Sequence, residues 1–332
     1  MAKHHTDQRD RTLSLARILF TETDEAHPMP LTALAARLEE AGIRAERKSL
    51  YRDLAALKRH GLEVEYQPGH GGGWYLTGRT FDRRELRQVV DAVAAHPWLT
   101  DPDRASLLDK LTSLAPAHLR AGLRRPVLRA RRDPEEAQAV REVLDKIHAA
   151  LQAERALTFY PVDWNPEKMR VATEGRKVVS PKGLLWEKER YALLAWDHHA
   201  KALGLFYPHR MAQVQVMGMP AQGPEVNLRH WIDAPFGLDP DLRCRVRLRC
   251  GRALTGQLVD TFGRETVLLP SEDGETVTLA PEVVMGPDFW AWLTTLGDQV
   301  EVLSPPWAAR LWEERYRPRL PGGRGAQPTK AG

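Results

Sequence analysis

Between residues 47 and 59 the chain spaces leucines and cations so that a helix would sort them onto two sides. At 100° per residue, Leu50, Leu54 and Leu57 fall within roughly 60° of one another and Lys48, Arg52 and Arg59 within roughly 40° on the opposite side, around the small Ala55. Such a helix is about 20 Å long and thin enough at Ala55 to approach base edges in a major groove. Arginine can fork onto a guanine edge, while Arg47, Lys48 and Ser49 at the helix start suit phosphates and Tyr51 flanks them. From Arg44 to Arg59 there are six basic residues against the acids Glu46 and Asp53. The competing reading is an ordinary solvated face of an amphipathic helix.

A second basic pattern runs Arg243-Cys244-Arg245-Val246-Arg247-Leu248-Arg249-Cys250. Strict alternation predicts one strand, with Cys244, Val246, Leu248 and Cys250 on a core and four arginines projecting opposite at about 7 Å intervals. Two readings stand: pairing with acids such as Glu265, Glu272 or Glu275, or an anion groove in which Arg245 and Arg247 hold an effector. The histidine pairs His4-His5 and His198-His199 lack metal-ligand spacing, and the latter reads as a hairpin turn after Asp197. No phosphate-binding glycine loop, nucleophile turn or carboxylate pair stands out, so no enzyme, cofactor or metal ion is expected.

The elements that must hold these residues follow from periodicity. Helices are predicted over 9–22, from a Thr32 cap to Gly42, and over 47–59. A strand at 62–67, a turn at 68–73 with His70 at its tip, and a returning strand Trp74-Tyr75-Leu76 follow, the outline of a winged helix-turn-helix. Residues 82–130 are helical in pieces cut by Pro97, Pro102 and Pro116, and six arginines crowd 119–132. A helix over 135–154 precedes strands near 156–161, 176–180, 190–196, 203–207 and 213–217, then a connector at 218–240. Strands near 243–250, 255–260, 265–269 and 275–279, a helix around Trp290, a strand at 300–303 and a helix at 306–316 complete the chain before a Gly/Pro/Arg-rich tail expected to be disordered.

Composition bounds the class. The 332 residues are 42% hydrophobic and 28% charged, ordinary for a globular chain of two or three domains. Forty-eight basic residues against 44 acids give net +4, too mild to name a nucleic-acid binder without regard to position. Two cysteines form no disulfide framework, no apolar run approaches a membrane span, and Met1–His5 starts no signal peptide, so a cytoplasmic protein without a membrane partner is expected.

Arg47-Lys48-Ser49-Leu50-Tyr51-Arg52-Asp53-Leu54 resembles the recognition-helix stretch of DeoR-like winged helix regulators, and Gly72-Gly73-Trp74-Tyr75-Leu76 resembles their wing. The remainder resembles the sensor half of WYL-domain transcriptional regulators with their C-terminal WCX extension. Tyr191-Ala192-Leu193-Leu194-Ala195-Trp196 matches the naming motif with Ala192 in place of an aromatic. Val178-Val179-Ser180-Pro181-Lys182-Gly183-Leu184 is similar to the strand-to-proline turn. In Phe206-Tyr207-Pro208-His209-Arg210-Met211, Tyr207 and His209 replace an Arg and an Asp while Arg210 is kept. Phe262-Gly263, Phe289-Trp290-Ala291-Trp292-Leu293 and Val300-Glu301-Val302 are similar to the WCX region.

The resemblance implies an α+β multidomain fold: a winged helix-turn-helix over 1–80, a helical linker and dimerisation region over 81–133, an SH3-like β-barrel (WYL) over 134–220, a small α/β WCX domain over 241–317 and a tail at 318–332. It implies a homodimeric regulator, here read as a repressor on a palindromic duplex operator, with a sensor for an anionic, nucleotide-like or single-stranded nucleic-acid effector. Tyr191, Trp196 and Tyr207 would offer stacking faces, and Lys182, His209 and Arg210 positive charge; core packing is the competing role of the aromatics. The alternative function is a single-strand nucleic-acid-binding accessory protein without operator specificity.

Overall fold

The computed structural model describes residues 8–124, 133–232 and 234–317, in two compact units, 1–142 and 143–332. Four of the six arginines of 119–132 and the whole C-terminal tail lie outside the described residues, as do His4 and His5.

The first unit opens with α1 (Gln8–Glu22), α2 (Leu31–Glu40) and α3 (Arg47–Arg59), followed by an antiparallel hairpin of β1 (Val64–Gln67) and β2 (Gly73–Leu76). Leu15, Leu19, Leu34, Leu38, Leu50, Leu54 and Leu57 meet in one core closed by Val64 and Leu76. The expected cap at Thr32 is not used. Helix α2 begins two residues earlier than that cap would set it, at Leu31 behind Pro30, whose ring holds φ at −65° and whose side chain makes no cap. Pro30 belongs to a segment pinned to the hairpin, because Met29 and Trp74 exchange backbone hydrogen bonds of 2.9 and 2.8 Å. Gly73 permits that approach: a Cβ there would lie 2.2 Å from the carbonyl carbon of Met29.

The unit continues with α4 (Arg83–Ala95), α5 (Asp101–Ser113) and α6 (Ala117–Leu123). Asp82 and Glu85 close a reciprocal capping box on α4, and Thr100 caps α5. Arg79 ties the first three helices to this group. Its guanidinium donates to the carbonyls of Phe20 and Thr23, each at 2.7 Å, and to that of Leu114 at 3.4 Å.

The second unit receives the later half of α7 (Pro134–Gln152), whose Val143, Ile147 and Ala150 pack on an antiparallel sheet. That sheet comprises β3 (Arg155–Trp164), β4 (Arg170–Ala172), β5 (Lys177–Glu187), β6 (Arg190–Asp197), β7 (Ala202–Phe206) and β8 (Met211–Pro220). Its order is β4-β3-β5-β6-β7, with β8 on the other edge of β3. The opposite face is covered by Val226, Leu228, Trp231 and Leu238 of the connector, so β6 reads as an apolar run rather than an alternation.

Three readings of the C-terminal part need correction. Residues 243–250 are two strands, β9 (Arg243–Arg245) and β10 (Arg247–Gly251), separated at Val246, whose N–H donates to Pro281. Residues 255–260 lie in a helix, α8 (Thr255–Phe262), because Leu254, Leu258 and Phe262 recur every fourth residue and turn one stripe inward. Of 265–269 only Leu269 enters a strand, β11 (Leu269–Pro270). The rest is β12 (Thr276–Leu279), β13 (Glu282–Val284), α9 (Pro287–Thr295), β14 (Val300–Ser304) and α10 (Pro306–Leu311), the last followed by a wider π turn ending at Tyr316. β10 lies between β12 and β14, whereas β9 forms a separate two-stranded sheet with β13. Phe289 and Trp312 are fully buried in the core these elements share. Among the described residues no helix is long and apolar enough to cross a membrane.

Two outcomes follow from the packing. Asp53 is 1% exposed and accepts from Arg11 Nε at 2.6 Å and Thr12 Oγ1 at 3.0 Å. Asp53→Ala strands both donors on α1 and should destabilise the first unit by about 2–4 kcal/mol in denaturant titrations. In the second unit Asp197 accepts from the N–H groups of His199 and Ala200, at 2.8 and 3.1 Å, where β6 turns into β7. Burial pushes its carboxyl up, but these backbone donors and Lys177 outweigh that and hold it below its ordinary 3.8. A depressed carboxyl contributes its full stability above the unfolded value and loses it as pH falls through the folded one. Asp197→Asn should therefore cost about 1 kcal/mol near neutrality, a deficit that shrinks in melts taken below about pH 4.

Candidate nucleic-acid interface

Helix α3 presents two sides that differ in chemistry. Leu50, Leu54 and Leu57 are buried, while Arg47, Lys48, Tyr51, Arg52, Ala55, Lys58 and Arg59 are exposed. Asp53 lies on the buried side and is consumed by Arg11 and Thr12. Glu46, just before the helix, makes no side-chain cap. Among the described residues none of Arg47, Lys48, Arg52 and Arg59 forms an ion pair with a carboxylate, so no described acid neutralises the cationic side.

The hairpin adds aromatic surface to one edge of this side. Trp74 stands edge-on to Tyr51, with ring centroids 6.1 Å apart, and packs against Tyr66 at 5.2 Å. Lys58 Nζ lies 5.8 Å from the Trp74 ring and the Arg47 guanidinium 5.9 Å from Tyr51. Tyr51 and Tyr66 remain 43% and 56% exposed, beside a cleft of about 320 Å³ between the start of α2, α3 and the hairpin. Sequence reading singled out Tyr51 and missed Tyr66, which the β1 register sets directly opposite Trp74. His70 is exposed at the hairpin tip, and Ser49 is half-buried in the first turn of α3.

The expected effector residues of the second unit do not gather into one wall. Tyr191 and Trp196 are an odd number of residues apart on the unbroken strand β6, so they leave opposite faces of the sheet. Tyr191 sits edge-on to Trp186 at 4.7 Å. Trp196 pairs with Leu203, whereas Tyr207 lies next to Ala192, about 13 Å further along β6. Burial pushes the Tyr207 hydroxyl up. His209 lies tilted against Tyr207, with ring centroids 5.7 Å apart, and Arg210 is paired with Asp163.

One local group does form. Trp196 and Lys182 meet at Gly223, whose φ is +88° and where a Cβ would lie 2.4 Å from Trp196 Cγ; Lys182 Nζ donates to the Gly223 carbonyl at 3.2 Å. Beside it Ser180 Oγ accepts from the Gln222 N–H and lies 2.8 Å from His198 Nε2, with His198 held below its ordinary value by burial and by Lys201. Sequence reading did not single out this group, because a loop distant in the chain brings Gln222 and Gly223 to Ser180 on β5.

The arginine ladder is interrupted. Alternate exposure holds from Arg245 to Cys250 but not at Arg243 and Cys244, which are both half-buried, and Arg245 belongs to β9 and Arg247 to β10, in different sheets. Arg249 pairs with Glu301 at 2.7 Å rather than with Glu265, Glu272 or Glu275, because β14 and not β11 runs alongside it. Arg243 donates to the carbonyl of His230. Cys250 is buried, its thiol pushed up to about 12, while Cys244 is only partly covered; both are free.

No family model matches the chain, and no curated protein does. Among solved structures it is similar to proteasome accessory factor B/C (PafBC) of Arthrobacter aurescens, at 18% identity and a TM-score of 0.27, over 91% of this chain and 47% of that one. It is also similar to a CRISPR Cas-related protein, at 9% identity and a TM-score of 0.27, over 94% of this chain and 79% of that one. The chain thus spans about half the length of PafBC.

Proposed function

We propose that the chain is a sequence-specific, double-stranded DNA-binding transcriptional regulator. Its first 80 residues act as a winged helix-turn-helix, with α3 as the reader in the major groove and the β1–β2 hairpin as the wing. The observation that carries this reading is the fate of Asp53. A carboxylate that would neutralise the cationic side of α3 is turned into the core, leaving Arg47, Lys48, Arg52 and Arg59 without acidic partners among the described residues. Arg52 lies mid-helix beside Ala55, where it reaches base edges. Arg47, Lys48 and Ser49 at the helix start suit phosphates, and Arg59 and His70 flank the groove.

The finer reading is a WYL-type regulator acting as a homodimeric repressor on a palindromic operator. Residues 81–133 carry dimerisation, and 134–220 and 241–317 form the WYL barrel and the WCX domain that sense an anionic, nucleotide-like effector. One reader helix covers a single half-site, so a two-fold dimer doubles the specific surface. Lys182 and Trp196 at Gly223 supply one cation and one aromatic face for such an effector. His209, Arg210 and Tyr207 supply a second group, with Tyr191, Arg245 and Arg247 as outlying candidates.

The test is binding to duplex from upstream of the protein's own gene, compared with random duplex and with single strand over a range of salt. Arg52→Ala should weaken binding to the footprinted site by about 1–3 kcal/mol and relax its sequence preference, while random duplex changes little. Equal, steeply salt-dependent binding to all three nucleic acids would instead support the single-strand-binding accessory protein, for which exposed Tyr51 and Tyr66 beside Arg47 would serve as stacking faces.

A further inference from the structure

The loop after α1 and the short helix α6 bring three metal-competent side chains to one point. His27 Nδ1 lies 2.8 Å from Asp24 Oδ1, and His118 Nε2 lies 2.7 Å from Asp24 Oδ2. The two imidazole centroids are 3.9 Å apart, tilted by 42°. The three ligand atoms all lie within 4.8 Å of one another. We propose that Asp24, His27 and His118 bind one late first-row divalent cation, Zn²⁺ foremost, and that the ion clamps the α1–α2 loop to α6.

The donor set and its support favour this reading. Two imidazole nitrogens and one carboxylate form a borderline N₂O set, which suits Zn²⁺ and its neighbours and is a poor match for Mg²⁺ or Ca²⁺. A tetrahedral Zn²⁺ holds such ligands at about 2.0–2.2 Å, which small side-chain rotations would allow here. The carboxylate is already oriented, since the His27 N–H donates to Asp24 Oδ1 at 2.8 Å and to the Asp24 carbonyl at 3.0 Å. The same ring nitrogens that face the carboxylate would bind the ion through their lone pairs, any proton they share with the carboxylate passing to solvent. The side chains are partly open, with His27 56%, His118 27% and Asp24 22% exposed, so a fourth ligand can come from solvent. Nearby, the Arg79 guanidinium interacts with the Asp24 carboxylate, a positive neighbour that moderates the affinity.

The consequence is mechanical. His118 is 94 residues from Asp24 in sequence, so the ion would cross-link the loop leading into α2 with the helices that follow the hairpin. That loop also carries Met29, which pairs with Trp74.

The test uses the untagged full chain with His4 and His5 changed to alanine, so that the N-terminal pair cannot bind metal. Titrated with Co²⁺ alone, this parent should develop visible d–d absorption saturating at one equivalent, and Zn²⁺ should displace it. Saturating Zn²⁺ should raise Tm, and both responses should weaken by at least about 10–100-fold in affinity with His118→Gln or with Asp24→Asn. His118 is exposed enough that its replacement should keep the native circular dichroism; His27→Gln gives the same reading if it does not. Absence of Co²⁺ absorption, or equal affinity in the parent and all three variants, would overturn the site. No DNA enters the measurement, so its failure leaves the regulator reading intact, and the converse also holds.

Discussion

The pairing of Asp53 with Arg11 and Thr12 sets the character of the whole first unit. It joins α1 to α3 through a carboxylate that is almost entirely buried. A buried carboxylate is costly unless charge and hydrogen bonds compensate it, and here a guanidinium and a hydroxyl do so. The pairing also removes from the outer side of α3 the acid that could have balanced its cations. Packing and surface electrostatics are therefore one arrangement: the leucines and Asp53 face in, and the arginines and lysines face out with no carboxylate partner among the described residues.

The hairpin completes that surface through a close backbone approach rather than through charge. Met29 and Trp74 bond directly because residue 73 has no Cβ, which brings Trp74, Tyr51 and Tyr66 together at the edge of α3. In the second unit the constraint is coverage. Helix α7 covers one face of the sheet and the connector the other, so Tyr207, read as a candidate ligand face, is partly spent on packing. What remains accessible is divided between the Lys182–Trp196 corner and the far end of β6.

Much of the first unit was legible because its signals are local. The leucine spacing of α3, the glycine-rich turn and the alternation of the hairpin are all written within a few residues. Asp53 was visible as an acid in a basic stretch, yet its partner on α1 is a contact across 42 residues that no periodicity encodes. The Asp24–His27–His118 cluster and the Arg79 tie escaped for the same reason. The C-terminal errors have another cause. Leu258-Val259 favours a strand locally, and only the fourfold recurrence from Leu254 to Phe262 reveals the helix. The alternating run at 243–250 was correct in exposure only from Arg245 onward and wrong in continuity, since a break at Val246 sends its halves to different sheets.

The most direct test of the account places a photo-crosslinking residue at position 55, amid the exposed cations of α3, and a control at position 13, where Leu13 is 70% exposed on α1. Irradiated on the footprinted duplex, position 55 should crosslink to bases within the protected site, with unlabelled specific duplex competing better than random duplex, and position 13 should not. Binding that persists without a crosslink from position 55, or with equal crosslinks from both positions, would contradict entry of α3 into the groove.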